Sequence, residues 1–383
     1  MSWRLASLLL LPLLAGAVLL PLAAQEAPPN PVERLQARLA RGEVQIAYDE
    51  NHGYLLGLLK ALDVPAESQV LPFTSSSFLG NLINPKQPRA IYFTDDVAVS
   101  VARGGRVVEL IANDRNGSPV FYTFATARRT DPRFQQEVAL CTFCHNRTSP
   151  AASLWIMADI VANDAGVPVR RRGDPSFDHT DHTIPFENRW GGWYVTGTTG
   201  SIRHHGNVTL PAGAVDLPTD KGLNVTDLSG RFDPGQVLQP GSDVVALMTL
   251  EHQAGFINRT ATLNAEYSDA RADELAAYMT FAGEVALPGP IQGSSGFAAH
   301  FAATGPRDAQ GRSLREHDLK TKLFRHPLSY MVYSNAFDAL KPQAKARVWR
   351  QLQARLRGTP EGRTAIAIAA ATKLDVPTDW TTP

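Results

Sequence analysis

Cysteine is almost missing from this chain: two residues in 383 cannot make the disulfide framework of a small secreted domain, nor the four-cysteine set of a zinc ribbon. Net charge is missing altogether. Lys plus Arg (37) equals Asp plus Glu (37), so no summed field draws the chain to nucleic acid or to an anionic surface, and no nucleic-acid partner is expected. No internal repeat is present, which excludes a solenoid or a propeller. Charged residues make up 19% and hydrophobic residues 44%, enough apolar material to bury one large core or two ordinary ones.

The N-terminus carries one positive charge, at Arg4, ahead of an apolar run over residues 5–22 that is interrupted by Pro12, Gly16 and Pro21. Small residues at Ala23 and Ala24 follow. This pattern reads as a Sec-type signal peptide over residues 1–24, with an uncleaved membrane anchor as the alternative. No cysteine follows the cleavage point to carry a lipid. Residues 25–31, with Pro28, Pro29 and Pro31, read as an extended linker. Export to the bacterial periplasm is therefore expected, with no integral membrane span after cleavage.

The two cysteines stand three positions apart with a histidine directly behind them: Cys141-Thr142-Phe143-Cys144-His145. Random placement of two cysteines and ten histidines gives this arrangement roughly once in 10⁴ chains of this length. One helical turn separates the thiols, so both can face one edge of a porphyrin and add to its vinyl groups while His145 places a ring nitrogen on the iron. The rivals each lack a part. A zinc ribbon needs a second ligand pair, and a thioredoxin-like pair sits at a strand end without a following histidine. A plain disulfide is the remaining alternative.

These five residues resemble the haem-attachment motif of the cytochrome c superfamily. The resemblance implies one covalent haem c, thioether bonds from Cys141 and Cys144, and proximal ligation by His145. It covers little of the chain. A small helical cytochrome c of this superfamily has the motif near its N-terminus and an axial methionine some sixty residues on; here the motif lies deep in the chain, and none of the five methionines is at that distance. The segments Arg189-Trp190-Gly191-Gly192-Trp193-Tyr194-Val195-Thr196-Gly197 and Leu319-Lys320-Thr321-Lys322-Leu323-Phe324-Arg325-His326-Pro327 also resemble a family of large bacterial monohaem proteins. That second resemblance implies no activity.

Hydrophobic periodicity predicts helices over 32–41 and 52–62, the second with Leu55, Leu56, Leu58, Leu59 and Leu62 on its apolar face. Short strands follow over 90–93, 97–102, 106–111 and 120–124, with turns at Gly104-Gly105 and Asn116-Gly117. Residues 134–140 read as a helical lead-in to the motif. Residues 164–233, rich in Gly, Thr, Asp and Pro, read as loop with isolated strands. Helices are expected over 244–263, capped by Ser242 or Asp243, and over 270–281, then through much of 312–371. The expected class is α+β: a mainly helical cytochrome c-like haem region (131–285), preceded by a mixed segment with small antiparallel hairpins (32–130) and followed by a helical C-terminal region (286–383).

The second axial position decides whether an iron held by His145 only passes electrons or also binds a substrate. Met248 and His252, four apart on one predicted helix, are the candidates. His179 and His182 flank Asp181 and could form a separate metal site, but such loops are usually solvated turns; His204 and His205, adjacent, point to opposite faces of a strand. Met157, twelve residues past His145, reads as packing. Arg189 and Trp190, with Trp193 and Tyr194, offer donors for the haem propionates, in which case Arg189→Ala would lower the midpoint potential. Electron transfer, to a redox partner protein or a small-molecule donor or acceptor, is the leading expectation. A haem oxidoreductase with an open sixth site is the alternative, and a haem-based sensor is a third class.

Overall fold

Turn chemistry and side-chain alternation build the central sheet. Asp114 Oδ1 accepts from the backbone N–H groups of Asn116 and Ser118, both at 2.8 Å, and Gly117 adopts the φ of +78° that closes the hairpin. In the computed structural model, which describes residues 29–146, 154–169, 179–214 and 216–380, helices α1 (Pro31–Ala40) and α2 (Leu55–Ala61) precede β1 (Leu71–Pro72). Strands β2 (Ala90–Phe93), β3 (Val97–Val101), β4 (Val107–Asn113), β5 (Pro119–Ala125) and β6 (Phe134–Glu137) follow, and α3 (Ala139–His145) carries the motif. After β7 (Trp193–Tyr194) and β8 (Gly197–Thr198) come α4 (Val244–Ala265) and α5 (Asp269–Met279). The chain finishes with β9 (Gln292–Gly293), α6 (Phe297–Ala303), α7 (Asn335–Asp338), α8 (Pro342–Leu356) and α9 (Pro360–Thr372).

Strands β2 to β6 form one antiparallel sheet in chain order. Ile91 pairs with Ser100, Ser100 with Glu109, Ala98 with Ile111, Ile111 with Phe121, and Phe121 with Glu137. Paired residues share a face, so these side chains form one side of the sheet. On the other side Tyr92, Val99, Val108, Leu110 and Phe124 pack with Val32, Leu35, Leu55, Leu58 and Leu59 of the first two helices. Asn30 caps α1 in a reciprocal box with Glu33 and donates from Nδ2 to Tyr122 Oη at 3.0 Å, tying helix to sheet. Leu56, expected on the apolar face of α2, is 42% exposed.

A second core surrounds α4, in which every residue from Val244 to Asn258 is buried. A helix buried all round needs neighbours on every side; α5, α6 and α7 supply them, and α8 packs on α5. Gly255 permits the closest of these approaches, since a Cβ there would lie 2.1 Å from Tyr278 Oη. The two cores interleave along the chain rather than dividing at residue 130. Val70, Phe93 and Ala98 belong to the α4 core, whereas Ala162, Tyr194, Leu228 and Phe232 belong to the core under the sheet.

The fold is mixed α/β, and two expectations are corrected. Residues 134–137 form strand rather than helix, because their backbone pairs with β5 and the Phe134 ring packs at a tilt against Phe124, centroids 4.8 Å apart. The motif helix is consequently only seven residues long. Residues 312–328 are irregular rather than helical, their polar backbone groups satisfied by turns such as Asp318 Oδ1 accepting from Lys320 and Thr321 N–H. The expected signal segment lies outside the described residues. No helix among the described residues is long and apolar enough to cross a membrane.

Asp243, not Ser242, caps α4. Its Oδ1 accepts from Val245 and Ala246 N–H at 2.8 and 3.1 Å, and its Oδ2 from the N–H and hydroxyl of Ser295 at 2.7 and 2.9 Å. Asp243→Ala strands three backbone donors, while the Ser295 hydroxyl keeps Glu67 O at 2.7 Å, and a loss of about 2–3 kcal/mol is expected in urea unfolding. A loss below about 0.5 kcal/mol would show that the cap does not anchor α4.

Candidate functional site

Strand β6 ends at Glu137, and the chain turns directly into α3, so the sheet edge delivers Cys141, Cys144 and His145 to the face formed by Ile91, Ala98, Ser100, Glu109, Ile111 and Phe121. There they line a cleft of about 1300 Å³, a figure that includes its open mouth. The remaining wall comes from residues 155–158 and 160, Trp193, Leu250 of α4 and the loop that carries Thr74, Ser76, Ser77 and Phe78.

The imidazole of His145 is set for ligation. Its Nδ1 lies 2.5 Å from the Leu154 carbonyl, and a carbonyl only accepts, so Nδ1 carries the proton and Nε2 presents a lone pair. The backbone repeats the link: Leu154 N–H donates to His145 O at 3.0 Å. Phe121 packs on the ring at 4.5 Å. Burial pushes the His145 pKa down, against the opposing hydrogen bond to Leu154, so the ring is neutral at pH 7. Asn258 of α4 holds the adjoining residue from both sides, its Oδ1 accepting from Trp155 N–H and its Nδ2 donating to Trp155 O, each at 2.8 Å.

The two sulfurs are not bonded to each other. Burial, with Glu109 and Glu137 nearby, pushes the Cys141 thiol up to about 11. A redox-active pair would have a depressed thiol pKa, so this environment argues against the thioredoxin-like alternative. The haem expected from the motif fits the residues present: two thiols and a neutral imidazole at one apolar cleft, with the tautomer of that imidazole set by a backbone carbonyl.

Residues proposed for other roles fall elsewhere. Leu250 is the α4 residue that lines the cleft; Met248 and His252 lie two positions either side, about 200° around the helix, and the structure brings neither to it. His252 is sealed among His182 (Nδ1 to Nδ1, 2.9 Å), Ser329 (Nε2 to Oγ, 2.7 Å) and the stacked ring of Tyr278. Met157, read from the sequence as packing, does line the cleft. Arg189 and Trp190 do not. Arg189 is 1% exposed, donates to Ile184 O at 2.6 Å and His182 O at 3.0 Å, and pairs with Glu251 at 3.4 Å, while Trp190 is buried beside His204. Trp193 lines the cleft and donates from Nε1 to Ala158 O at 3.0 Å; Tyr194 donates to Pro85 O at 2.6 Å, away from it.

His204 packs against Trp190 and His205 meets Asp159 at 2.7 Å, and both lie in irregular backbone rather than on a strand. Among the described residues no group of three or more His, Cys, Asp or Glu is arranged to hold a metal ion, and His179 instead lies within 3.5 Å of Asn258 Nδ2. Sequence reasoning missed Arg89 and Glu109, paired at 2.5 Å on the cleft floor. The period-2 alternation of β4 puts Glu109 opposite Leu110 and was the available signal. No family model, no curated protein and no solved structure matches this chain.

The buried pair fixes one prediction. Burial pushes the Glu251 carboxyl up against the attraction of Arg189, and Arg189→Ala leaves that group without its cation and the Ile184 carbonyl without its donor, while His182 O keeps Val285 N–H. A loss of about 3–5 kcal/mol in urea unfolding is expected; unchanged stability with a lowered haem potential would return Arg189 to a propionate role. A second prediction follows from His179, His182 and His204, each held down to about 4 by burial. Their unfolded pKa is about 6.5, so the unfolded chain binds more protons between pH 6.5 and 4. Stability is full above pH 6.5 and falls as pH drops to 4, by about 1.4 kcal/mol per pH unit for each histidine. Urea midpoints that stay level from pH 7 to 4 would contradict this.

Proposed function

We propose that the chain is an exported monohaem c-type cytochrome that transfers electrons in the bacterial periplasm. The observation that carries this reading is the tautomer of His145: Nδ1 is committed to the Leu154 carbonyl, leaving Nε2 free at the cleft that also contains Cys141 and Cys144. A bound haem supplies a one-electron ferric/ferrous couple, and covalent attachment suits a compartment outside the reducing cell interior. Cys141 and Cys144 would tether it and His145 would ligate it. Met157, which lines the cleft, would be the thioether that helps to hold the iron. The partner is a redox protein or a small-molecule donor or acceptor that meets the open mouth.

A second reading is favoured by the charged cleft floor. Glu109, Arg89 and Ser100 form a hydrogen-bonded cluster there, which an electron carrier does not require and which could move a proton for a substrate at an open iron site. Absorption spectra of the oxidised and reduced protein, before and after carbon monoxide, separate the two. A low-spin spectrum that ignores carbon monoxide, and is lost in Met157→Ala but not in Met248→Ala, is expected for electron transfer. A high-spin haem that binds carbon monoxide would overturn that reading in favour of an oxidoreductase.

A further inference from the structure

Most polar groups around the cleft have partners. Trp193 Nε1 donates to Ala158 O, Ser100 Oγ meets Arg89 Nε, Arg89 pairs with Glu109, and Tyr122 Oη accepts from Asn30. Three groups do not: the hydroxyls of Thr74 and Ser77 and the indole N–H of Trp155 are buried, belong to residues that line the cleft and meet no hydrogen-bonding partner among the described residues. Thr74 is 7% exposed and Trp155 4%. Buried polar groups in native proteins are nearly always satisfied, so three exceptions in one cleft call for an occupant that satisfies them.

Their backbones are held firmly. Phe73 N–H donates to Gly192 O at 2.7 Å and Ser75 N–H to Gly166 O at 2.8 Å, bracketing Thr74, and Asn258 clamps Trp155 from both sides. The backbones that carry the Thr74 and Trp155 donors are therefore fixed before anything binds. An indole N–H only donates, and both hydroxyls can donate, so the complement is a group rich in acceptors and without donors of its own. An ionised carboxylate is that group. Arg89 is the cation among the cleft residues, and Glu109 already neutralises it. Recognition would thus rest on neutral donors.

We propose that Thr74, Ser77 and Trp155 form a carboxylate-binding site in the cleft. The proposal rests on the haem reading above and deepens it, because the carboxylate has two sources: the propionates of the haem itself, or a free carboxylate entering by the open mouth. In the first case the site replaces the contacts that the sequence suggested for Arg189 and Trp190. In the second it is a subsite for an anionic ligand beside the iron.

The test uses the exported holoprotein and its Thr74→Val, Ser77→Ala and Trp155→Phe variants, with Thr74→Ser as the conservative rescue and covalent haem content measured first. If the propionates are the source, each deletion leaves more negative charge beside the iron and favours the ferric form. The ferric/ferrous equilibrium then shifts by up to tenfold, a fall of up to 59 mV in midpoint potential. Thr74→Ser restores the wild-type value, and sodium acetate leaves the spectrum unchanged. If a free carboxylate is the source, acetate perturbs the wild-type haem spectrum saturably and binds about tenfold more weakly to each deletion variant, with the potential in its absence unchanged. Wild-type haem content with potentials and acetate responses identical across all variants overturns the site alone. A wild-type protein without covalent haem overturns the site together with the functional reading.

Discussion

The hydrogen bond from His145 Nδ1 to the Leu154 carbonyl is the contact on which the site depends. It fixes which ring nitrogen carries the proton, and so which one keeps a lone pair for ligation. It also joins the two halves of the fold. His145 ends a helix that issues from the edge of the sheet, while the residue after Leu154 is clamped by Asn258 in the middle of α4. A buried helix and a sheet edge thereby hold the same imidazole, and the cleft opens between them.

Much of the sheet was legible because its side chains alternate and its turns carry glycine: β2 begins and ends where the pattern said, and β3, β4 and β5 differ by a residue or two. The cap of α4 was legible to within one position, since Ser242 and Asp243 are both good capping residues and only the structure shows which side chain meets Val245 and Ala246. Strand β6 was not. Phe134-Gln135-Gln136-Glu137 has no strong β-formers beyond one phenylalanine, and its conformation is decided by pairing with β5. The orientation of α4 was hidden for a different reason. A helix buried all round, with Glu251, His252 and Gln253 inside as well as Leu250, has no periodic stripe to mark which side meets the cleft, so the face of Met248 and His252 could not be told from that of Leu250.

The motif at Cys141, Cys144 and His145 was plain in the sequence, but its surroundings were not. Arg189 looked like a donor for the haem propionates and is instead spent inside the protein on Glu251 and two carbonyls. Arg89 and Glu109, twenty residues apart, meet only because β2 and β4 flank β3 in the sheet. The polar character of the cleft floor is thus a product of strand register. It distinguishes this chain from a minimal helical electron carrier, whose haem pocket needs no such sheet.

Intact mass spectrometry of the denatured protein, exported by a bacterium that matures c-type cytochromes, tests the central claim most directly. The account predicts the mass of the polypeptide plus one haem, with that increment absent when Cys141 and Cys144 are both replaced by alanine. A protein that carries no haem in such a host, or loses it on denaturation with both cysteines intact, would contradict the account.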